Sequence, residues 1–330
     1  MAAQAVKKEN AMVRFGHGVV TYLKENLAIL CAFVVMCVAL AIMSPVFLSV
    51  DNILNVLRQV TVNCNLALGL TMCIIINGID LSVGSVVAIS GTLAAGFISN
   101  NGMNVWLAIL IAFLIGVVMG ICNGLIIAYT GMPPFVVTLA MMNIGRGAAY
   151  VYANGQPIRC FVDEFNFWGV GYILGIPVPV IISAILFIIM TLVLTKSKFG
   201  RHLYAVGGNE EAAKFSGISI KKVKITVYTL SGIFASLSGI VLAARMYSGQ
   251  PSAGNGFELD AIAASVLGGV SFLGGVGKLG GTIIGVLVIG ILSNGLNLMN
   301  VNSFWQYIVK GLIILAAVYL DIVKKSRQKF

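Results

Sequence analysis

Residues able to carry out chemistry are scarce in this sequence of 330 residues. Its two histidines, His17 and His202, are far apart, and no paired acids with the spacing of a catalytic or metal site accompany them. Asp80 is the one acid near the interior of an apolar stretch, and it follows the turn residues Asn77 and Gly78. At a turn, a carboxylate more often caps a helix than carries a proton. The sequence therefore predicts no catalytic residue and no metal site, and it indicates that the chain is not an enzyme.

A glycine-rich segment, Gly275–Gly280, has the spacing GxGxxG and looks superficially like a nucleotide-binding loop. It follows an apolar membrane-length run, whereas a dinucleotide fingerprint follows a strand and opens a helix. Phe272 and Leu279 also occupy the positions where a phosphate loop needs Gly and Ser or Thr. We therefore predict that the chain binds no nucleotide and that any ATP is hydrolysed by another protein.

Two cations, Arg146 and Lys310, lie inside apolar stretches. A charge at the centre of a membrane helix costs about 3 kcal/mol on insertion scales. Both lie nearer one end of their stretch, so snorkelling to the interface is favoured, and a position facing a solute pathway is the alternative. Polar residues in such stretches line a pathway or join helices by hydrogen bonds. The candidates for lining it are Asn63, Asn65, Asn143, Arg146, Asn294 and Asn297.

The stretches that hold these residues are long enough to cross a membrane. The chain is 59% hydrophobic and 10% charged, and no charged residue occurs between Asp80 and Arg146. About 20 apolar residues span a bilayer, and helices satisfy their own backbone hydrogen bonds in lipid. We predict an all-α polytopic membrane protein with about ten transmembrane helices. The predicted spans are Leu27–Met43, Ile53–Ile76, Ser82–Ile98, Val105–Tyr129, Pro133–Tyr152, Val180–Thr195, Ile225–Ala244, Ala261–Gly277, Gly281–Met299 and a last one ending near Leu320.

The basic residues set the predicted orientation. Sixteen of the 21 Lys and Arg residues fall in residues 1–26, the loop 196–224, the turn at Lys278 and the tail 321–330. Cytoplasmic segments carry such an excess, so both termini are predicted to be cytoplasmic, flanking one transmembrane domain over residues 27–320. The net charge of +10 is thus explained without a nucleic-acid partner. The turns near Asn77 and Lys278 are either full crossings or re-entrant.

The loop 196–224 is predicted to carry a short helix. Asn209 suits an N-cap, Glu210 and Glu211 suit the positive first turn, and Gly217 suits a left-handed stop. A helix of about two turns is marginal by itself, so it is expected to need a partner surface. Its expected apolar face is Ala212, Ala213, Phe215 and Ile218.

Several sequence blocks resemble a known family. Glu211, Ala212, Ala213 and, after three more residues, Gly217 match the EAA motif of importer permeases. INGIDLSVGS (76–85), FGRHLYAVGGNEEAAKFSGI (199–218), FELDAIAASVLGGVSFLGG (257–275) and NSFWQYIVKG (302–311) occur in the same order. Over about residues 50–320 the chain resembles the monosaccharide permeases of ATP-binding-cassette importers, of the ribose and methylgalactoside type, with the ribose type the nearer likeness.

This resemblance implies a permease subunit in a bacterial inner membrane that forms the pathway for a ribose-like pentose or hexose. Alternating access would be driven by a separate ATPase that holds ATP and Mg, and this chain would bind no cofactor. The other implied partners are an extracytoplasmic sugar-binding protein and a second copy or a paralogue of the permease. The implied ATPase-coupling residues are Gly208, Asn209, Glu210, Glu211, Ala212, Ala213 and Gly217, and the candidates for docking the binding protein are Asp51, Arg159, Asp163, Glu164, Glu258 and Asp260.

Two other functions are considered. An ion-coupled secondary sugar transporter would need a buried acid or cation site, for which the sequence offers Asp80. A structural or assembly protein of the membrane would move no solute and would bind no ATPase. The sequence leaves open which sugar is carried and whether the pore is a homodimer or a heterodimer.

Overall fold

The structure, a computed structural model, describes residues 27–328 and is almost entirely helical. The predicted cytoplasmic segment 1–26 and the end of the tail lie outside the described residues.

Thirteen helices and four two-residue strands make up the described part of the chain. The helices are α1 (Leu27–Met43), α2 (Val50–Ile75), α3 (Val83–Ser99), α4 (Val105–Thr130), α5 (Pro134–Tyr152), α6 (Asp163–Val170), α7 (Val178–Lys196), α8 (Lys198–Gly208), α9 (Glu210–Phe215), α10 (Ile220–Arg245), α11 (Phe257–Leu267), α12 (Leu279–Leu298) and α13 (Ser303–Gln328). The strands are β1 (Ile158–Arg159), β2 (Tyr172–Ile173), β3 (Ile176–Pro177) and β4 (Ser248–Gly249). β1 pairs with β4 and β2 with β3, both antiparallel.

Length and composition alone allow four described helices to cross a membrane: α4, α7, α10 and α12. Most other predicted spans also form helices close to the expected bounds. A mostly helical, polytopic membrane protein is therefore confirmed. The number of crossings and the side on which the termini lie stay predictions.

α10 is the central helix, and it packs along α2, α3 and α4. Glycines on α4 allow α10 to approach closely. A Cβ at Gly116 would lie 2.4 Å from the Ser236 Cβ of α10, and one at Gly120 would lie 2.5 Å from the Tyr228 carbonyl oxygen of α10. Gly116, Gly120 and Gly124 recur every four residues, a GxxxG spacing that permits close packing of membrane helices.

α3 begins part-way along the bundle. After α2 ends at Ile75, the chain turns back, with Asn77 in the left-handed region at φ 59°. Asp80 then bonds to Ser231, which lies beside Gly69 of α2. Gly69 precedes the end of α2 by six residues, or about 9 Å at 1.5 Å per residue. The segment between α2 and α3 therefore folds back into the bundle, and α3 then continues to the opposite end, where Gly249 of β4 packs against Thr92.

α11 shows the same construction from the other end of the bundle. The loop after α10 folds back until Gly254 packs against Gly84 and Val87 near the start of α3. α11 then runs for 11 residues, about 16 Å, and ends at Leu267. The predicted eighth span, Ala261–Gly277, is wrong in both its start and its length. Residues 268–277 (GGVSFLGGVG) contain valine, phenylalanine and leucine and keep the segment apolar after the helix has stopped, so hydropathy did not reveal its end.

Candidate functional site

The loop 196–224 folds into two helices, α8 and α9. The Ser197 hydroxyl accepts a hydrogen bond from the Gly200 N–H at 3.1 Å and so caps α8. The Asn209 Oδ1 accepts one from the Ala212 N–H at 2.9 Å and caps α9. α9 ends at Phe215, and the chain then turns at Gly217, with φ 80°, where the Ile218 N–H donates to the Ala213 carbonyl at 3.0 Å. The predicted cap, short helix and left-handed stop are confirmed, whereas the helix α8 was not predicted.

Most of the surface of α9 is exposed. Glu210, Glu211 and Ala212 are exposed, and Phe215 is 91% exposed. Only Ala213 of α9 is buried against its own chain. The expected apolar face is therefore divided between an inward alanine and an outward phenylalanine. This arrangement leaves an aromatic side chain available to a partner.

An ion pair joins α9 to α10. Lys224 Nζ lies 2.8 Å from Glu210 Oε1, and the Glu210 side chain is about half exposed. Surface pairs of this kind contribute about 0–1 kcal/mol, so the pair orients α9 more than it stabilises the fold.

α8 joins α9 to the ends of the buried helices. Its Leu203 and Val206 are buried, and a Cβ on Gly207 would lie 1.8 Å from the Ile75 carbonyl oxygen, so the backbones are in direct contact. The Asn77 amide donates to the Gly207 carbonyl at 3.1 Å. The end of α2 is thereby fixed to α8.

The loop between α11 and α12 closes the same junction. The Gly275 N–H donates to the Ile75 carbonyl at 2.8 Å, and the Tyr204 hydroxyl donates to the Gly277 carbonyl at 2.7 Å. Burial raises the pKa of Tyr204, so its hydroxyl remains a donor at neutral pH. We call this group, made of Ile75, Asn77, Tyr204, Gly207 and Gly275, the coupling joint. It connects α9 mechanically to α2, α11 and α12.

Asp80 lies in a buried hydrogen-bond network just before the start of α3. The backbone N–H and the hydroxyl of Ser82 donate to Oδ1 at 3.0 and 2.6 Å, and the Ser231 hydroxyl donates to Oδ2 at 2.7 Å. The Asn123 amide donates to the Ser82 hydroxyl at 2.9 Å. These bonds hold the turn before α3 and join it to α10, but no side chain caps the N-terminus of α3, so the predicted capping role of Asp80 is wrong. The roles of Ser231 and Asn123 were not predicted, because each comes from a distant helix.

Both half-buried cations have partners within the chain, and snorkelling to the interface stays a prediction. Lys310 Nζ lies 2.7 Å from Asp260 Oδ2. Arg146 donates to the Pro251 carbonyl at 2.8 Å and also to the Ala253 carbonyl, and so holds the loop before α11.

The docking candidates divide into two groups. Asp51, Arg159, Asp163 and Glu164 are exposed at the end of the bundle opposite α9. Glu258 and Asp260 are buried in α11, so the predicted external position of these two acids is wrong. The reason is that α11 starts at Phe257, inside the bundle, instead of after an outer loop.

The pathway candidates occupy four kinds of position. Asn294 exchanges two hydrogen bonds with Asn52, at 2.9 and 3.2 Å, so it joins α12 to α2 instead of lining a cavity. Asn65 is buried. Asn143 and Arg146 line an open cavity of about 220 Å³. Asn63 and Asn297 meet in a different cavity, of about 130 Å³.

Comparison with known proteins defines the family. The family described as the permease component of a branched-chain amino acid transport system matches residues 52–318. The chain belongs to this permease family. The match includes every described residue of the coupling joint, the Asp80 network and both cavities.

Individual relatives are similar over almost the whole permease. The ribose import permease protein RbsC of Bacillus subtilis (strain 168) is 47% identical over 294 residues, which cover 88% of the permease and 91% of the relative. RbsC of Escherichia coli (strain K12) is 44% identical, covering 90% and 93%. The L-arabinose transport system permease protein AraH of Escherichia coli (strain K12) is 38% identical, covering 92% and 93%. No solved structure matches the permease.

Proposed function

We propose that this permease is the membrane subunit of an ATP-binding-cassette importer for a monosaccharide, with D-ribose the first candidate. The support is the identity of 44–47% to ribose import permeases over nine-tenths of the chain. The family description names amino acids, but a family match conveys a shared architecture. Similarity to a named permease along nearly its full length is more specific to the substrate.

The structural observation that carries the proposal is the coupling joint. An importer permease must receive a mechanical signal from an ATPase and pass it to the helices that form the pathway. α9 offers an exposed docking surface, with Glu211, Ala212 and Phe215 facing outward. α8 is attached to the end of α2 and to the loop between α11 and α12. A force on α9 is therefore transmitted to three helices at once.

The remaining subunits follow from this arrangement. ATP and Mg belong to the separate ATPase beneath α9, on the cytoplasmic side of a bacterial inner membrane. A sugar-binding protein docks at the opposite end, where Asp51, Arg159, Asp163 and Glu164 are exposed. A second copy of the permease, or a paralogue, completes the pore. Ion coupling is disfavoured because the Asp80 carboxylate accepts three hydrogen bonds from within the chain and Asp260 is paired with Lys310.

The test is uptake by a reconstituted complex. The permease is purified from membranes with its associated ATPase and binding protein and placed in vesicles. Radiolabelled D-ribose uptake should require ATP on the side of α9 and should persist when ionophores abolish ion gradients. Uptake that continues without ATP and stops with the ionophore would overturn the proposal. Isolation of the permease with no ATPase and no solute movement would favour an assembly role.

A further inference from the structure

We propose that residues 271–277, in the loop between α11 and α12, form a second docking contact for the ATPase beside α9. This inference rests on the proposed function and adds an interaction surface to it. We call this segment the glycine turn. It overlaps the GxGxxG segment, whose glycines have a structural purpose here. Its exposed apolar side chains are Leu273, which is 61% exposed, and Val276, which is 56% exposed.

Hydrogen bonds within the glycine turn hold its shape. The Ser271 N–H donates to the Val276 carbonyl at 3.0 Å, and the Gly274 N–H donates to the Ser271 carbonyl at 3.0 Å. Gly274 and Gly275 lie in the left-handed region, at φ 72° and 71°, which glycine adopts without strain. A segment that is already ordered loses little conformational freedom on binding, so its side chains can contact a partner at a low entropic cost.

The glycine turn lies directly against the residue that leads into α9. A Cβ at Gly275 would lie 2.9 Å from the Gly208 Cα, so the two backbones are in contact. Gly208 is followed by Asn209, the cap of α9. A partner seated on the first turn of α9 would therefore also reach the residues on either side of Gly275.

α9 by itself is too small for a stable interface. Its six residues span about 9 Å at 1.5 Å per residue, and nine of the residues 208–217 are exposed. A stable protein–protein interface involves about 20–30 residues on each side. Neighbouring segments must therefore contribute to docking. The glycine turn adds two exposed apolar side chains, whose burial would stabilise the complex.

The backbone of the glycine turn disfavours lipid as the occupant of this surface. Residues 268–278 form neither helix nor strand, and Lys278 is exposed at the end of this segment. Irregular backbone does not face the hydrocarbon of a bilayer, because its polar groups would lack partners there. Leu273 and Val276 are thus available to a protein. The ATPase is the proposed partner that docks at this end of the bundle.

Contact at the glycine turn would connect the ATPase directly to α11 and α12. The Gly275 N–H donates to the Ile75 carbonyl at the end of α2, and the Tyr204 hydroxyl of α8 donates to the Gly277 carbonyl. The glycine turn is therefore attached to the same coupling joint as α8. An ATPase that binds both α9 and the glycine turn would hold this joint from two sides.

The test measures the affinity of the purified ATPase subunit, the one that co-purifies with the permease, for the permease in nanodiscs. Replacing both side chains, Leu273→Ala with Val276→Ala, should raise Kd about tenfold. Leu174→Ala is the matched control, because Leu174 is an exposed leucine followed by a glycine in a turn at the opposite end. Its Kd should equal that of the wild type. Thermal unfolding should be unchanged in all variants, since these side chains are exposed.

A labelling experiment identifies what covers the glycine turn. The Leu273→Cys variant should react with a maleimide in the free permease and about tenfold more slowly once the ATPase is bound. The Leu174→Cys variant should react equally fast in both states, and the unsubstituted chain gives the background from its own cysteines. A Leu273→Cys variant that is already unreactive without the ATPase would place lipid or a second copy on the turn, and would overturn the inference.

The outcomes separate this inference from the proposed function. If no ATPase binds the wild-type permease, the proposed function fails. If the ATPase binds, and Phe215→Ala weakens binding while the double variant keeps the wild-type Kd, the glycine turn is overturned alone. A Kd raised equally by Leu174→Ala and by the double variant would show a general effect of removing exposed leucine, and would also overturn it.

Discussion

Single backbone contacts at the coupling joint determine whether α9 can move the helices attached to it. Gly207 and Gly208 are neighbours in α8, but a Cβ on Gly207 would lie 1.8 Å from the Ile75 carbonyl oxygen, whereas a Cβ on Gly208 would meet nothing within 4 Å. The two positions form a natural matched pair. Gly208 is among the predicted coupling residues, whereas Gly207 was not predicted, because its neighbour Ile75 is 132 residues away in α2.

We predict that Gly207→Ala lowers the free energy of unfolding by about 1–3 kcal/mol and reduces uptake relative to ATP hydrolysis. Overpacking a close backbone contact has a cost of this size. The measurements are thermal unfolding and the ratio of ribose moved to ATP hydrolysed. Gly208→Ala is the control and should match the wild type in both. Equal behaviour of the two variants would remove the coupling joint from the mechanism.

The Asp80 network allows a second test at this scale. Ser231→Ala removes one of the three hydrogen bonds to the buried carboxylate and should cost about 1.5–3 kcal/mol of stability, the usual range for bonds to charged groups. Ser236→Ala, one α-helical turn and a half further along α10, removes a hydroxyl that donates to the Ile233 carbonyl of its own helix. It should cost less than 1 kcal/mol. Similar losses in the two variants would argue against a network centred on Asp80.

At the scale of elements, the short helix α9 is the part most open to a partner. It has six residues, a side-chain cap and one ion pair to α10, and it leaves Phe215 outside the chain. An exposed aromatic residue on a rigid helix is a typical hot spot of a protein interface. α8 and α9 together therefore form a docking element in which α8 is packed against the buried helices and α9 is exposed.

We predict that Phe215→Ala weakens binding of the ATPase by about 2 kcal/mol, or about thirtyfold in Kd, without unfolding the permease. The measurement is the affinity of the purified ATPase for the permease in nanodiscs. Leu174→Ala is the control, because Leu174 is 98% exposed in the turn between β2 and β3, at the opposite end. An unchanged affinity in Phe215→Ala would exclude a hot spot at α9.

The whole molecule consists of two ends joined by buried helices. α8 and α9 lie at one end with the loop between α11 and α12, and the strands lie at the other. α3 and α11 both begin inside the bundle, and Gly84 and Gly254 meet where the segments before these two helices approach each other. Helices that start inside a bundle expose backbone groups to the interior, and such backbone occurs where it is buried in protein or lines a cavity.

The orientation of these two ends in the membrane is a prediction at this scale. Leu174→Cys should react with a membrane-impermeant maleimide on intact cells, whereas Phe215→Cys should react only after permeabilisation. Both side chains are almost fully exposed, so reactivity reports the side of the membrane. The unsubstituted chain gives the background from its own cysteines. The reverse pattern would place α9 outside the cytoplasm and would contradict ATPase docking there.

The sequence by itself determined a helical membrane protein, the short capped helix from Asn209 to Gly217 and the likeness to importer permeases. These properties depend on hydropathy, on capping and on residue order, all of which act over a few neighbouring residues. The tertiary structure alone decided that Lys310 pairs with Asp260, that Asn294 pairs with Asn52 and that α11 stops after 11 residues. Such pairs join residues 50 or 242 positions apart, and a desolvated polar group bonds to whichever partner the packing brings near.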